Sequence, residues 1–127
     1  MLAHHKHKTI GWLIDKLSKC NPEAEVTLGP LSLIPESLYS YRGYYEDVAI
    51  DYRSDLFDRR KTVNQFLQDL RECLGSTITG YKGGDYTVRE STALWVAKWG
   101  QCSGVGVVGI RKIGKQYVVI KIKEIDR

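Results

Sequence analysis

Beyond His7 the chain has no histidine: His4, His5 and His7 all fall in the first seven residues. The body is therefore expected to lack the commonest general acid–base and a common metal ligand. The opening His-His-Lys-His run reads as a mobile basic tail rather than a divalent-ion site. Cysteine is scarce as well. Cys20, Cys73 and Cys102 are odd in number, widely spaced and form no Cys-X-X-Cys pair, which argues against a structural disulfide or a cysteine zinc site. All three are expected to be reduced, partly buried apolar residues. Cys102, in Gly-Gln-Cys-Ser-Gly, shows no neighbouring base or cation that would make it a nucleophile.

Other absences narrow the field further. No apolar run approaches the roughly 20 residues of a membrane span, and the N-terminus lacks the apolar core of a secretory signal. A cytoplasmic protein with no membrane partner is the expectation. The glycine-rich Gly-Val-Gly-Val-Val-Gly at 104–109 lacks both the dinucleotide-fold spacing and the Gly-Lys-Ser/Thr of a phosphate loop. No serine lies in a nucleophile elbow, and there is no architectural repeat or low-complexity tract.

The 127 residues suit one domain, with 43% hydrophobic and 27% charged residues placing it among globular chains. Residues 1–8 are expected as a disordered basic tail and 9–127 as the domain. The net charge of +4 is unevenly spread. Residues 1–8 hold two lysines and no acid, and residues 111–127 hold six basic and two acidic side chains. The remaining 102 residues carry 11 basic and 13 acidic groups, so the body is slightly acidic. A continuous basic face for polynucleotides is therefore not expected, whereas a small anion needs two or three cations.

Hydrophobic spacing sets out the elements. Thr9 can cap a helix reaching about Lys19, with Ile10, Leu13, Ile14 and Leu17 on one face and Trp12 off it as a rim or subunit-contact residue. Asn21-Pro22 stops that helix. Residues 25–28 alternate as a short strand, and 31–37, with Pro35, reads as an edge segment or ordered loop. In 44–52, Tyr44, Glu46, Val48, Ile50 and Tyr52 face one way and Tyr45, Asp47, Ala49 and Asp51 the other, predicting a half-buried strand with a polar outer face. Residues 53–61 read as a charged loop, with Arg59-Arg60-Lys61 as solvated surface. Thr62 and Gln65 spell a capping box for a helix with Val63, Phe66, Leu67, Leu70, Cys73 and Leu74 on its apolar face and Gly75 at its end. Residues 80–86 are expected as a loop, 93–99 as an apolar aromatic stretch, and 105–110 and 117–125 as strands joined around Gly114. Val118, Ile120 and Ile122 then face one side, with Lys121 and Lys123 opposite. The fold class that follows is α+β, a mainly antiparallel sheet with two helices packed on one face. Exposed aromatics favour a homo-oligomer.

Two stretches share one recipe of tyrosines, a cation and glycine: Ser40-Tyr41-Arg42-Gly43-Tyr44-Tyr45 and Gly80-Tyr81-Lys82-Gly83-Gly84-Asp85-Tyr86. Glycines permit close backbone approach, while a flat ring beside an ammonium suits a phosphate carried on a planar base. The candidate ligand-binding residues are Tyr41, Arg42, Tyr81, Lys82, Gly83, Gly84, Tyr86, Arg89 and Arg111. The bland alternative is that the tyrosines pack half-buried on sheets and the cations are ordinary surface charges. Catalytic and metal residues are not identified. Glu46, Asp47 and Asp51 form no ready acid/base pair, and Asp85 reads first as a cap of its own turn. A binder without cofactor, and not an enzyme, is the expectation.

The segments SYRGYYEDVAIDY, TVNQFLQDL and GYKGGDYTV…TALWVAKWG resemble small proteins encoded by bacteriophages and prophages, and within that group the first Thoeris anti-defence family. The resemblance spans roughly residues 9–110. It implies an oligomeric sponge that sequesters cyclic ADP-ribose isomers, with cyclic oligonucleotides at a separate site in some members, and releases them uncleaved. It further implies that Tyr81 stacks on adenine, that Gly83-Gly84 lets the ligand approach, and that Arg89 or Arg111 meets the pyrophosphate. Two alternatives stay open: a phage inhibitor of a host protein anchored by Trp12, Trp95 and Trp99, and a weak nucleic-acid binder using Lys121 and Lys123.

Overall fold

The computed structural model describes residues 8–29, 33–40, 48–53, 61–80, 84–96 and 104–125. Helix α1 covers Ile10–Leu17 and begins where the sequence places it. Thr9 is its N-cap, with the hydroxyl accepting from the Trp12 amide at 3.2 Å. The next unpaired amides of the first turn are satisfied by backbone, Ile10 donating to Thr92 O at 2.9 Å and Gly11 to Glu90 O at 3.0 Å. A Cβ at Gly11 would stand 2.8 Å from Glu90 Cβ and 2.9 Å from Glu90 O. Glycine is therefore what lets this helix start press against the 89–92 turn.

Helix α2, Val63–Cys73, has both halves of the expected capping box: Gln65 N donates to Thr62 Oγ1 at 3.2 Å and Thr62 N to Gln65 Oε1 at 2.9 Å. Leu74 is its C-cap, and Gly75 follows at φ +86, its amide bonded to Val88 O at 2.8 Å. Val63, Phe66, Leu67, Leu70 and Cys73 are buried, one turn apart along a single face.

Among the described residues eight strands accompany the helices: β1 Glu25–Leu28, β2 Ile34–Ser40, β3 Val48–Arg53, β4 Thr77–Gly80, β5 Gly84–Thr87, β6 Leu94–Val96, β7 Gly104–Ile113 and β8 Tyr117–Ile125. Six form one sheet in the order β1-β8-β7-β6-β3-β2, and β4-β5 make a separate two-stranded hairpin. The class is α+β, but the sheet is mixed rather than mainly antiparallel: β1–β8 and β3–β6 pair parallel. Alternation along a strand reports which face is buried, not which way its neighbour runs. Parallel neighbours need a long crossover, and between β3 and β6 the chain inserts α2 and the β4–β5 hairpin.

The two sheet edges meet. Leu28 N donates to Leu33 O at 2.6 Å and Leu33 N to Leu28 O at 3.3 Å, bringing β1 next to the start of β2 and rolling the sheet into a nearly closed barrel. One core cluster joins Ile10, Leu13 and Leu17 of α1 and the buried face of α2 to Val26, Leu28, Val48, Ile50, Leu94, Val107, Val118 and Ile120. Ala49 and Trp95 form a second cluster on the opposite face of β3 and β6.

Several local expectations change. Lys8, assigned to the tail, is tied to the sheet: its amide donates to Val107 O and its carbonyl accepts from Leu94. Val48, Ala49 and Ile50 are all buried, so β3 has no polar outer face at Ala49 and lies between β2 and β6. Gly80 and Gly84, Asp85 and Tyr86 belong to strands rather than to a loop. Lys61, read as solvated surface, is an anchor: its ammonium sits 2.6 Å from Asp69 Oδ2, accepts cover from the Phe66 ring at 5.9 Å, and donates to Glu36 O at 3.0 Å. Arg59 and Arg60 lie outside the described residues.

Candidate functional site

The glycine–tyrosine segment is organised by the β4–β5 hairpin. Its register pairs Thr77 with Thr87, Ile78 with Tyr86, Thr79 with Asp85 and Gly80 with Gly84. The last pair before the connection thus consists of two glycines, which place no side chain over the backbone there. Tyr81, Lys82 and Gly83, which link those glycines, lie outside the described residues, as do Tyr41 and Arg42 of the earlier stretch.

The hairpin base is firmly held. Val88 is buried, its amide donating to Ser76 O at 2.9 Å and its carbonyl accepting from Gly75. Arg89 follows with its side chain exposed and its amide bonded to Thr92 Oγ1 at 2.8 Å, while Thr92 N donates back to Arg89 O at 2.9 Å. Thr92 is itself buried, at 8% exposure. Arg89 is therefore presented from a turn that also grips the start of α1. Sequence reasoning passed over Val88 and Thr92. The available signal was a hydroxyl residue three positions after Arg89, a spacing that lets a side chain close a turn.

Arg111 sits elsewhere. It lies within β7 opposite Val119, in the six-stranded sheet, whereas Gly84 and Tyr86 belong to the two-stranded one. The structure thus brings Gly84, Tyr86 and Arg89 onto one short continuous segment and leaves Arg111 on another element.

The tryptophans separate in the same way. Trp12 is half-buried, with Lys8 Nζ 4.9 Å and Lys16 Nζ 5.9 Å from its ring centroid, an aromatic face covered by cations at the helix rim. Trp95 is 2% exposed, which removes it as a docking anchor. Trp99 lies outside the described residues. Among the described residues no group of three or more His, Cys, Asp or Glu side chains could hold a metal ion, and no helix is long and apolar enough to cross a membrane.

Cys20 and Cys73 are free and buried; Cys102 lies outside the described residues. Burial pushes the Cys73 thiol above its ordinary value, partly opposed by its contact with Ser76. A raised thiol pKa means that the folded state holds the proton more tightly. The resulting stability is present in full below about pH 8.5, where an unfolded-state thiol begins to ionise, and is lost as pH rises through the folded value. Urea unfolding midpoints should accordingly fall above about pH 8.5 in the parent more steeply than in Cys73→Ala. Equal slopes would remove Cys73 as the cause.

Comparison with known proteins is silent. No protein-family model, curated protein or solved structure matches the chain. The functional reading therefore rests on residues, geometry and the motif resemblance.

Proposed function

We propose that the protein binds and sequesters a cyclic nucleotide signal without cleaving it. The ligand class is that implied by the motif resemblance: cyclic ADP-ribose isomers, with cyclic oligonucleotides as the second class. On this reading the chain is a phage anti-defence protein of the host cytoplasm, acting as a homo-oligomer. The observation that carries the binding half of the proposal is the hairpin, in which a Gly80–Gly84 pair flanks the Tyr81-Lys82-Gly83 connection and Arg89 is presented from an anchored turn. A bare glycine pair admits a ligand to the backbone, a tyrosine supplies a stacking face, and lysine and arginine supply charge for a pyrophosphate. The alternative of a protein-docking inhibitor loses one of its three anchors, because Trp95 is buried.

The test is the thermal shift of the purified protein against cyclic ADP-ribose isomers and cyclic di- and trinucleotides. One ligand at 100 times its Kd is expected to stabilise by about 2.7 kcal/mol. Tyr81→Ala is expected to weaken that ligand by roughly 1–3 kcal/mol, the contribution of one stacked base. Heating should release it chemically intact. A ligand returned as a hydrolysed product would replace sequestration with catalysis, and silence across the panel would favour the docking inhibitor.

A further inference from the structure

A second basic site lies well away from the hairpin in sequence and uses none of the candidate ligand-binding residues named above. The end of α1 and the β7–β8 turn enclose a cleft of about 190 Å³ whose lining includes Lys19, Lys112 and Lys115 together with Cys20, Ala24 and Val118. We propose that this cleft binds the phosphate of a small organic phosphate, with the three lysines around the oxyanion and the organic part against the apolar wall of Cys20, Ala24 and Val118.

Four observations support it. The walls are fixed to each other: Asn21 Nδ2 donates to Lys115 O at 2.8 Å, and Glu25 N donates to Gln116 O at 2.7 Å. These bonds pin the hairpin turn to the α1–β1 connection, so the cleft exists before any ligand arrives and little ordering is needed on binding. Its lining residues include three lysines and no aspartate or glutamate. Like charges gathered around one concavity repel unless an anion occupies it. Lys19 does touch Asp15 at 3.4 Å, but both side chains are more than half exposed, 64% and 59%, so that contact is weak and easily shared.

Strand geometry explains why Lys112 takes part and Arg111 does not. Lys112 pairs with Val118, whose side chain lies on the helix-facing side and also lines the cleft. Arg111 is the next residue along and so projects from the other face. Tyr117 pairs with Ile113 and projects from that other face as well, so the apolar wall of the cleft is Cys20, Ala24 and Val118. Size sets the class of ligand. Sites for drug-sized molecules run to roughly 300–1,000 Å³, so this smaller cleft suits a compact phosphate monoester. Lysines act as point charges rather than planar forks, which fits a tetrahedral oxyanion better than a carboxylate.

Binding of phenyl phosphate and of inorganic phosphate, measured by calorimetry at constant ionic strength, tests the proposal. Phenyl phosphate is expected to bind more tightly than inorganic phosphate, and Lys112→Gln and Lys115→Gln are each expected to weaken it about tenfold, the effect of roughly 1.4 kcal/mol. Lys121→Gln, on the outer face, and Tyr81→Ala, at the hairpin, should leave it unchanged. The unliganded melting temperature of the two cleft variants should be unchanged or higher, because each removes a repelling charge. Equal binding of the two phosphates would overturn the organic-phosphate assignment. Unaltered affinity in both cleft variants, an equal loss in Lys121→Gln, or a loss confined to Tyr81→Ala would overturn the site itself. A fall in unliganded melting temperature with unchanged affinity would show that the lysines serve stability alone.

Discussion

Phe66→Ala is expected to destabilise the fold by about 3–5 kcal/mol, the usual range for removing a buried aromatic ring. Phe66 is fully buried on α2, in the cluster that joins both helices to the inner face of the sheet. The upper part of the range is expected because α2 cannot slide to fill the space. Its first turn is tied down by Val63 N to Ala24 O at 2.8 Å and Asn64 N to Pro22 O at 3.0 Å, and the Thr62–Gln65 box holds the same end. Native domains carry about 5–15 kcal/mol in total, so much of the margin disappears. For a chain of this size the melting temperature should drop by more than about 10 °C. In urea, the midpoint should fall with little change in slope. A loss below about 1 kcal/mol would mean that α2 does not pack against the sheet through this ring.

Trp95→Ala is expected to cost about 3–5 kcal/mol for a different reason. Trp95 stands in β6 between Ala49 of β3 and Gly106 of β7, so both cross-strand neighbours are small. Large side chains beside small ones cover their neighbours on the pleated surface, and here one indole does so for two strands. Truncation would leave three small residues in a row with no other described side chain of their cluster large enough to fill the gap. Trp95→Phe should recover a substantial part of the loss. The same variant separates two functional readings. If Trp95 were an exposed docking anchor, alanine would leave stability within about 0.5 kcal/mol and abolish only partner binding.

The parts of this fold that were legible in the sequence are those governed by neighbours in the chain. The start of α1 at Thr9, the capping box of α2, its end at Gly75 and the bounds of β1 and β8 depend on residues three or four apart or on strict alternation. The inward set Val118, Ile120 and Ile122 and the outward Lys121 and Lys123 followed from the same period. β3 misled because its alternating polar positions suggested one wet face. Ala49 is small enough to fit under Trp95, and nothing local announces a ring arriving from 46 positions further on. The 80–86 segment read as a loop because glycine weakens a strand pattern, yet Gly80 and Gly84 pair as strand residues.

The candidate site divides along the same line. Its residue types, the tyrosines, cations and glycines of 80–89, were present in the sequence, and the hairpin adds the register that sets Gly80 against Gly84. Arg111 was grouped with them by chemistry alone; its strand places it in the other sheet. The lysine cleft could not be read at all, since Lys19 and Lys115 line one cleft only because the chain folds so that Asn21 bonds across to the β7–β8 turn.

By itself the sequence determined the class, the two helices with their caps, the main alternating strands and a body without histidine beyond His7. Those follow from short-range sterics, hydrogen bonding and hydrophobic period. Tertiary structure alone decided that two strand pairs run parallel, that the sheet edges close at Leu28 and Leu33, that Trp95 is covered, and which cations share a surface. The reason is that period and propensity act over a few residues, whereas strand direction, closure and charge convergence are set by which distant segments bury one another's apolar faces.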